Sequence, residues 1–444
     1  MTEEKFEFTA AIKKKIGFIA LLGFLSVVLG AILFDPSAGH HGDAAGHGTT
    51  QIEAEHHGDA EAGHGASDDG HHGTSPLLKR IFVDFWINNV FFTGLAIIGV
   101  FFFAVQYVAQ AGWSAPIKRI PLAMGSWLPI AAILMLGTFF VANHDIFHWT
   151  HDYLYHETLE DGSPNPEYDE IIAGKQGYLN LPFYLARMIV FFGVWYIFFR
   201  ILRKNALAED LNGGEDYWRK MVKISAGFIV FFAVSSSMSA WDWVMSIDTH
   251  WFSTMMGWYV FASWWVSGLA VITLITATLK ENGYLKIVNA NHLHDLGKFV
   301  WGFSIFWTYI WFSQFLLIYY ANIPEESIYF VERWQNDHYA PYFFINLIIN
   351  FFFPFLLLMT RDAKRHAIFL KIVCSAIVFG HWLDFYLMIT PGTLKENGGF
   401  GFLEIGLMVI YGCAFLFVAL QRLAKSSLVA KNHPMLEESM HHHI

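Results

Sequence analysis

His381 and Asp384 stand three positions apart within one long apolar run, which on a helix places them on one face. A carboxylate beside an imidazole in a half-buried pocket can orient and charge the ring. The pair can then accept a proton from a hydroxyl, such as that of a hydroquinone, and pass it to water. His144 and His148, with Asp145 between, share a helix face at a spacing of four. Asp242 and Glu404 lie in other apolar runs and would extend a relay. Arg187 would balance their charge, since an unpaired carboxylate at that depth takes up a proton. Ionisable residues inside membrane segments cost about 3 kcal/mol each to insert, so each is a functional candidate by default. Plainer readings stand beside these. His148, Asp84 and Asp248 suit caps at helix ends, and His381 with Asp384 suits a buried pair that holds two helices together. As a metal pair, His144 and His148 lack an evident third ligand.

A second set of candidates lies in residues 36–76. His40, His41, His56, His57, His71 and His72 are scattered there with other histidines among Gly, Ala, Asp and Glu. Weak zinc or copper binding is one reading, and a solvated linker lying on a partner is the other, favoured by the irregular spacing. The two cysteines, Cys374 and Cys413, both lie in apolar runs. They supply no disulfide framework, no four-cysteine iron–sulfur site and no C-x-x-C-H haem attachment. Covalent haem and clusters, if any serve this protein, would sit on partners.

The elements that must position these residues are membrane helices. The 444 residues are 55% hydrophobic and only 15% charged, where a soluble domain carries about a quarter charged residues. Apolar runs long enough to cross about 30 Å of hydrocarbon fall at 16–34, 81–108, 121–142, 179–202, 221–244, 252–279, 299–321, 342–360, 367–389 and 402–422. The fold class expected is therefore all-α, a polytopic membrane protein of about ten spans. Of the 28 basic residues, only Lys79, Arg80, Lys175, Arg187, Arg333 and Lys395 fall on one side of this arrangement. The positive-inside rule then places both termini in the cytoplasm and the candidate residues in the outer third of the membrane. The net charge of −10 resides in loops and argues against a nucleic-acid partner.

This predicts a cytoplasmic start and retained first anchor over 1–35, a periplasmic His/Gly/Asp-rich loop over 36–78, a nine-helix membrane domain over 79–425 and a cytoplasmic tail over 426–444. Trp241, Trp243, Trp258 and Tyr259 are expected mainly as interfacial belt residues. The acidic outer stretches 157–170 and 325–337 suit docking of extrinsic subunits.

Several motifs carry a resemblance. The segment from Ser239 to Met255 (SAWDWVMSIDTHWFSTM), His294-Asp295-Leu296-Gly297-Lys298, Phe306-Trp307, Phe312-Ser313-Gln314, the stretch from Tyr319 to Glu326, and His381-Trp382-Leu383-Asp384-Phe385-Tyr386 with Pro391 resemble the F subunit of alternative complex III. That subunit is related to the membrane subunit of polysulfide reductase. The resemblance covers roughly residues 80–425. It implies two four-helix bundles plus flanking helices. It also implies membership of a bacterial inner-membrane complex that oxidises quinol and passes electrons to a cytochrome c or an oxygen reductase. Multihaem c-type cytochrome, iron–sulfur protein and a paralogous quinol-binding membrane subunit would be the partners. By position, Asp242, His381 and Asp384, with Glu404, are the residues carried over, for quinone binding or for proton relay. A structural scaffold and an independent proton or ion transporter are the competing readings.

Overall fold

The computed structural model describes residues 4–34, 74–159 and 161–443, apart from the side chain of Glu396. Ten helices among them are long and apolar enough to cross a membrane: α1 (Ala10–Ile32), α2 (Pro76–Val108), α3 (Arg119–Ile146), α4 (Leu181–Asn212), α5 (Glu215–Ile247), α6 (Met256–Glu281), α7 (Ala290–Ala321), α8 (Ala340–Leu357), α9 (Ala367–Leu394) and α10 (Phe402–Leu423). Each overlaps one expected span. β pairing among the described residues is confined to two isolated bridges, Lys5–Ser427 and Thr158–Pro164. The protein is an all-α, multi-pass membrane protein.

Two four-helix bundles stand side by side. Helices α2, α3, α4 and α5 pack together in the first, and α6, α7, α8 and α9 in the second. The bundles meet where α2 packs on α6 and α9, and α5 on α6. Close approach there depends on Gly94 of α2, where a Cβ would fall 1.9 Å from the ring of Trp264. Helices α1 and α10 form a flanking pair against α2 and α3. Their backbones touch at Gly23, whose Cβ would meet the Gly406 carbonyl at 3.0 Å, and small residues are what permit such contact in lipid. Outward faces are apolar, with Phe18, Ile133, Val230 and Leu317 exposed. In a bilayer this is the surface that contacts lipid.

The two ends of the bundles differ. One carries the long connections, 147–180 and 322–339, and is the end toward which the halves of α5 and α9 holding Asp242 and Asp384 run. Part of the second connection is not an open loop: Pro324–Trp334 is an amphipathic helix whose Tyr329, Phe330 and Arg333 are buried. The opposite, basic end is closed by the tail. Leu428 donates its N–H to the Glu4 carbonyl, and the Ser439 hydroxyl bonds the Trp113 carbonyl. His442 lies 2.6 Å from Asp295.

Candidate functional site

Asp384 lies in the second half of α9, about three turns before its end, with no exposed surface. One carboxylate oxygen accepts from the Tyr259 hydroxyl and from Asn346 Nδ2 at 2.9 Å; the other accepts from Trp307 Nε1 at 2.9 Å. The cradle draws one donor from each of α6, α7 and α8, the other three helices of the second bundle. Asn346 is itself held by α8, which departs from α geometry at a π turn over Ile348–Phe352. There Asn350 Nδ2 donates to Asn346 Oδ1 at 2.6 Å, and π turns recur at functional sites. Among the described residues, no cation bonds this carboxylate.

His381 is equally buried, one turn earlier on α9. Its Nδ1 lies 3.0 Å from the Ser263 hydroxyl and 3.9 Å from Asp384 Oδ2, too far for a hydrogen bond. The expected shared face is present, but Ser263 orients the ring and Asp384 does not. Nε2 has no hydrogen-bond partner among the described residues. An imidazole with a free, buried nitrogen beside a carboxylate held only by neutral donors is able to exchange protons.

One cavity lies beside the cradle's donors, and a second shares a wall residue with it. A cavity of about 20 Å³, room for roughly one water, is lined by Tyr259, Asn346, Gln314, Tyr329 and Arg333. Both amide atoms of Gln314 are buried and unbonded there. Tyr329 is shared with a second cavity of about 600 Å³ that opens at the long-connection end. Its walls include His144, Asp145, His148, Asp248 and His250. Arg333 lines the small cavity and reaches a wall residue of the larger one. It donates to Asp248 Oδ2 at 3.0 Å and to the Leu387 and Met388 carbonyls, and its guanidinium covers the Tyr329 ring at 3.4 Å. Burial pushes the Tyr329 hydroxyl up to about 12, so it stays protonated and can donate. Burial, then the neighbouring His151, His250 and Lys395, lower His148 and favour its neutral imidazole.

Asp242 and Glu404 do not extend this network. Arg187 grips Asp242 in a fork, Nε to Oδ2 at 2.7 Å and a terminal nitrogen to Oδ1 at 3.0 Å, both side chains buried. Its third arm donates to the Tyr178 carbonyl at 3.0 Å, and the guanidinium lies against the Tyr178 ring. Every charge is matched, so Arg187 does balance Asp242, as a closed pair inside the first bundle. Glu404 opens α10, accepts from the Gly401 N–H at 2.7 Å and pairs with Arg80 at 2.5 Å. Neither carboxylate shares a hydrogen bond with His381 or Asp384.

His144 and His148 are also corrected. Helix α3 kinks at Ala142 and ends at Ile146, with Phe147 extended, so His148 lies beyond the helix and the two rings share no helix face. His144 instead meets the Thr150 hydroxyl at 3.1 Å and Asp145 accepts from Thr74 at 3.1 Å. They line the outer cavity. Among the described residues, no group of three or more His, Cys, Asp or Glu is placed to hold a metal ion. His40, His41, His56, His57, His71 and His72 lie outside the described residues.

Two functional residues escaped sequence reasoning. Tyr259, expected in the belt, is buried against Asp384, while its neighbour Trp258 is the exposed one. Arg333, counted in a loop, is buried against the small cavity and bonded to Asp248. Its spacing of four from Tyr329 was the available signal. No protein-family model matches the chain, and no curated protein matches it either.

Proposed function

We propose that this chain is an integral membrane subunit of a quinol-oxidising respiratory complex of the alternative complex III type, and that its own contribution is a proton relay. The bias of basic residues toward one end supports a bacterial inner membrane with both termini cytoplasmic and the Asp384 end facing out. The motifs from Ser239 to Pro391 support the complex. So does the pairing of two four-helix bundles with a flanking pair. Multihaem cytochrome c, an iron–sulfur protein and a paralogous quinol-binding subunit would carry the redox chemistry.

The observation that carries the relay is the cradle of Asp384: a buried carboxylate held only by neutral donors, next to an imidazole with a free nitrogen. Room for one water separates it from an outer vestibule. A quinone ring does not fit a cavity of about 20 Å³, so Asp384 is read as a proton carrier and not as a contact to the ring. Protons released on quinol oxidation would enter at His381 and Asp384. They would leave past Tyr259 and Tyr329 to the histidine-lined vestibule.

The test is Asp384→Asn in the assembled complex. Quinol oxidation is expected to fall about 100-fold, the lower range for loss of a general acid or base, with haem content and subunit composition unchanged. Full activity with normal assembly in both Asp384→Asn and His381→Ala would leave a scaffold. A protein that purifies alone, folded and colourless would instead favour an independent transporter.

A further inference from the structure

The basic end holds a cluster of charge that the relay does not use. Where α3, α4 and α10 meet, a cavity of about 240 Å³ is lined by Ser126, Phe199, Arg200, Val418, Arg422 and Lys425, among others. Among the described residues, Arg200 bonds only the Tyr196 hydroxyl, at 3.0 Å. Arg203 stands within electrostatic reach of both Arg200 and Arg422. Among the described residues, no carboxylate pairs with Arg200, Arg203, Arg422 or Lys425, although acids elsewhere at this end are taken up, as Asp210 is by Arg119 and Glu281 by Lys371. Two buried donors at the cavity, Arg422 Nε and Ser126 Oγ, have no acceptor among the described residues. Gathering like charges and leaving donors unsatisfied costs stability unless an anion completes the site.

The apolar half of the site identifies that anion. Phe199 and Val418 line the same cavity, and the outward faces of α3 and α4 continue toward mid-membrane with exposed Ile133, Ile197 and Val190. A phosphate at the arginines would have its apolar tails beside these faces. We infer that this cavity binds an anionic glycerophospholipid, its phosphodiester held by Arg200, Arg422, Lys425 and Ser126. The lipid would bridge the flanking pair to the first bundle. Basic pockets between membrane helices at the cytoplasmic side are suited to such headgroups. A free phosphate ion would satisfy the cations and leave the apolar wall unused.

Native mass spectrometry of the full-length protein in mild detergent, with its accompanying subunits, tests this. Phosphatidylglycerol is titrated against phosphatidylcholine. The wild type is expected to retain phosphatidylglycerol preferentially, and Arg200→Gln with Arg422→Gln should weaken that binding about 25-fold, near fivefold for each charge removed. Lys425→Gln, at an exposed position, keeps the test open if the double variant does not fold, with an expected loss of about fivefold. Equal retention of the two lipids overturns the inference, as does unchanged binding in either variant. Inorganic phosphate that displaces the lipid and protects the protein from heat equally well also overturns it, in favour of a free-anion site. The Asp384 relay stands at the other end of the helices, and its activity is expected to survive in these variants.

Discussion

The two bundles each bury an aspartate in the half of a helix that runs toward the long connections, and they treat it in opposite ways. In the first, Asp242 is locked by the fork of Arg187. In the second, Asp384 receives only a phenol, an indole and an amide. Burying a charge is offset in one case by a full counter-charge and in the other by dipoles alone. A closed ion pair has no reason to exchange its proton and serves to fasten α4 to α5. A carboxylate cradled by neutral donors has no counter-charge to fix it, which is why Asp384 is the one proposed as the proton carrier. Residue type and burial do not separate the two; the partner does.

The largest effect expected from breaking this comparison is structural. Arg187→Met leaves Asp242 buried without its cation and should destabilise the protein by about 3–5 kcal/mol, seen as loss of folded material in detergent by fluorescence-detected size exclusion. Adding Asp242→Leu should recover most of the loss. Tyr259→Phe removes one donor from Asp384 but leaves the fold. We expect about a tenfold fall in quinol oxidation, measured with dye-coupled turnover of the assembled complex. Glu404→Gln, whose partner Arg80 is partly exposed, should cost about 1 kcal/mol in thermal stability and leave turnover unchanged.

A further effect concerns the basic end and is read only as a pH dependence. Burial pulls Lys118 down to about 7, with Glu209 opposing, and Lys118 Nζ sits 2.5 Å from His433 of the tail. Near pH 9 the unfolded chain holds this lysine charged while the folded protein holds it neutral. Stability contributed there is fully present above about 10.5 and is lost as pH falls to about 7. Lys118→Met should therefore flatten the rise in melting temperature between those limits.

The ten spans were legible because run length alone defines a crossing helix, and the lysine and arginine bias of alternate loops made the order self-consistent. The two-bundle arrangement was expected only through the family resemblance; span length and spacing do not give it. The candidates were legible as a set because ionisable residues are rare in such runs, but their pairing was not. Arg187 and Asp242 are 55 positions apart, and periodicity says which residues share a face without saying which faces meet. The same limit hid Tyr259, since a tyrosine beside a tryptophan at a span end reads as an interfacial belt whichever one turns inward. The premature end of α3 at Ile146 carries no glycine or proline to announce it. Helix Pro324–Trp334 was read as loop because its charges dominate its composition, although Tyr329, Phe330 and Arg333 mark an inward face.

The most direct test is pH-difference infrared spectroscopy of the purified protein, comparing the wild type with Asp384→Asn and Asp242→Asn. A titrating carboxyl band that shifts in heavy water, disappears in Asp384→Asn and persists in Asp242→Asn is the predicted result. A wild-type spectrum with no such band, or a band lost with Asp242 and kept without Asp384, would contradict it.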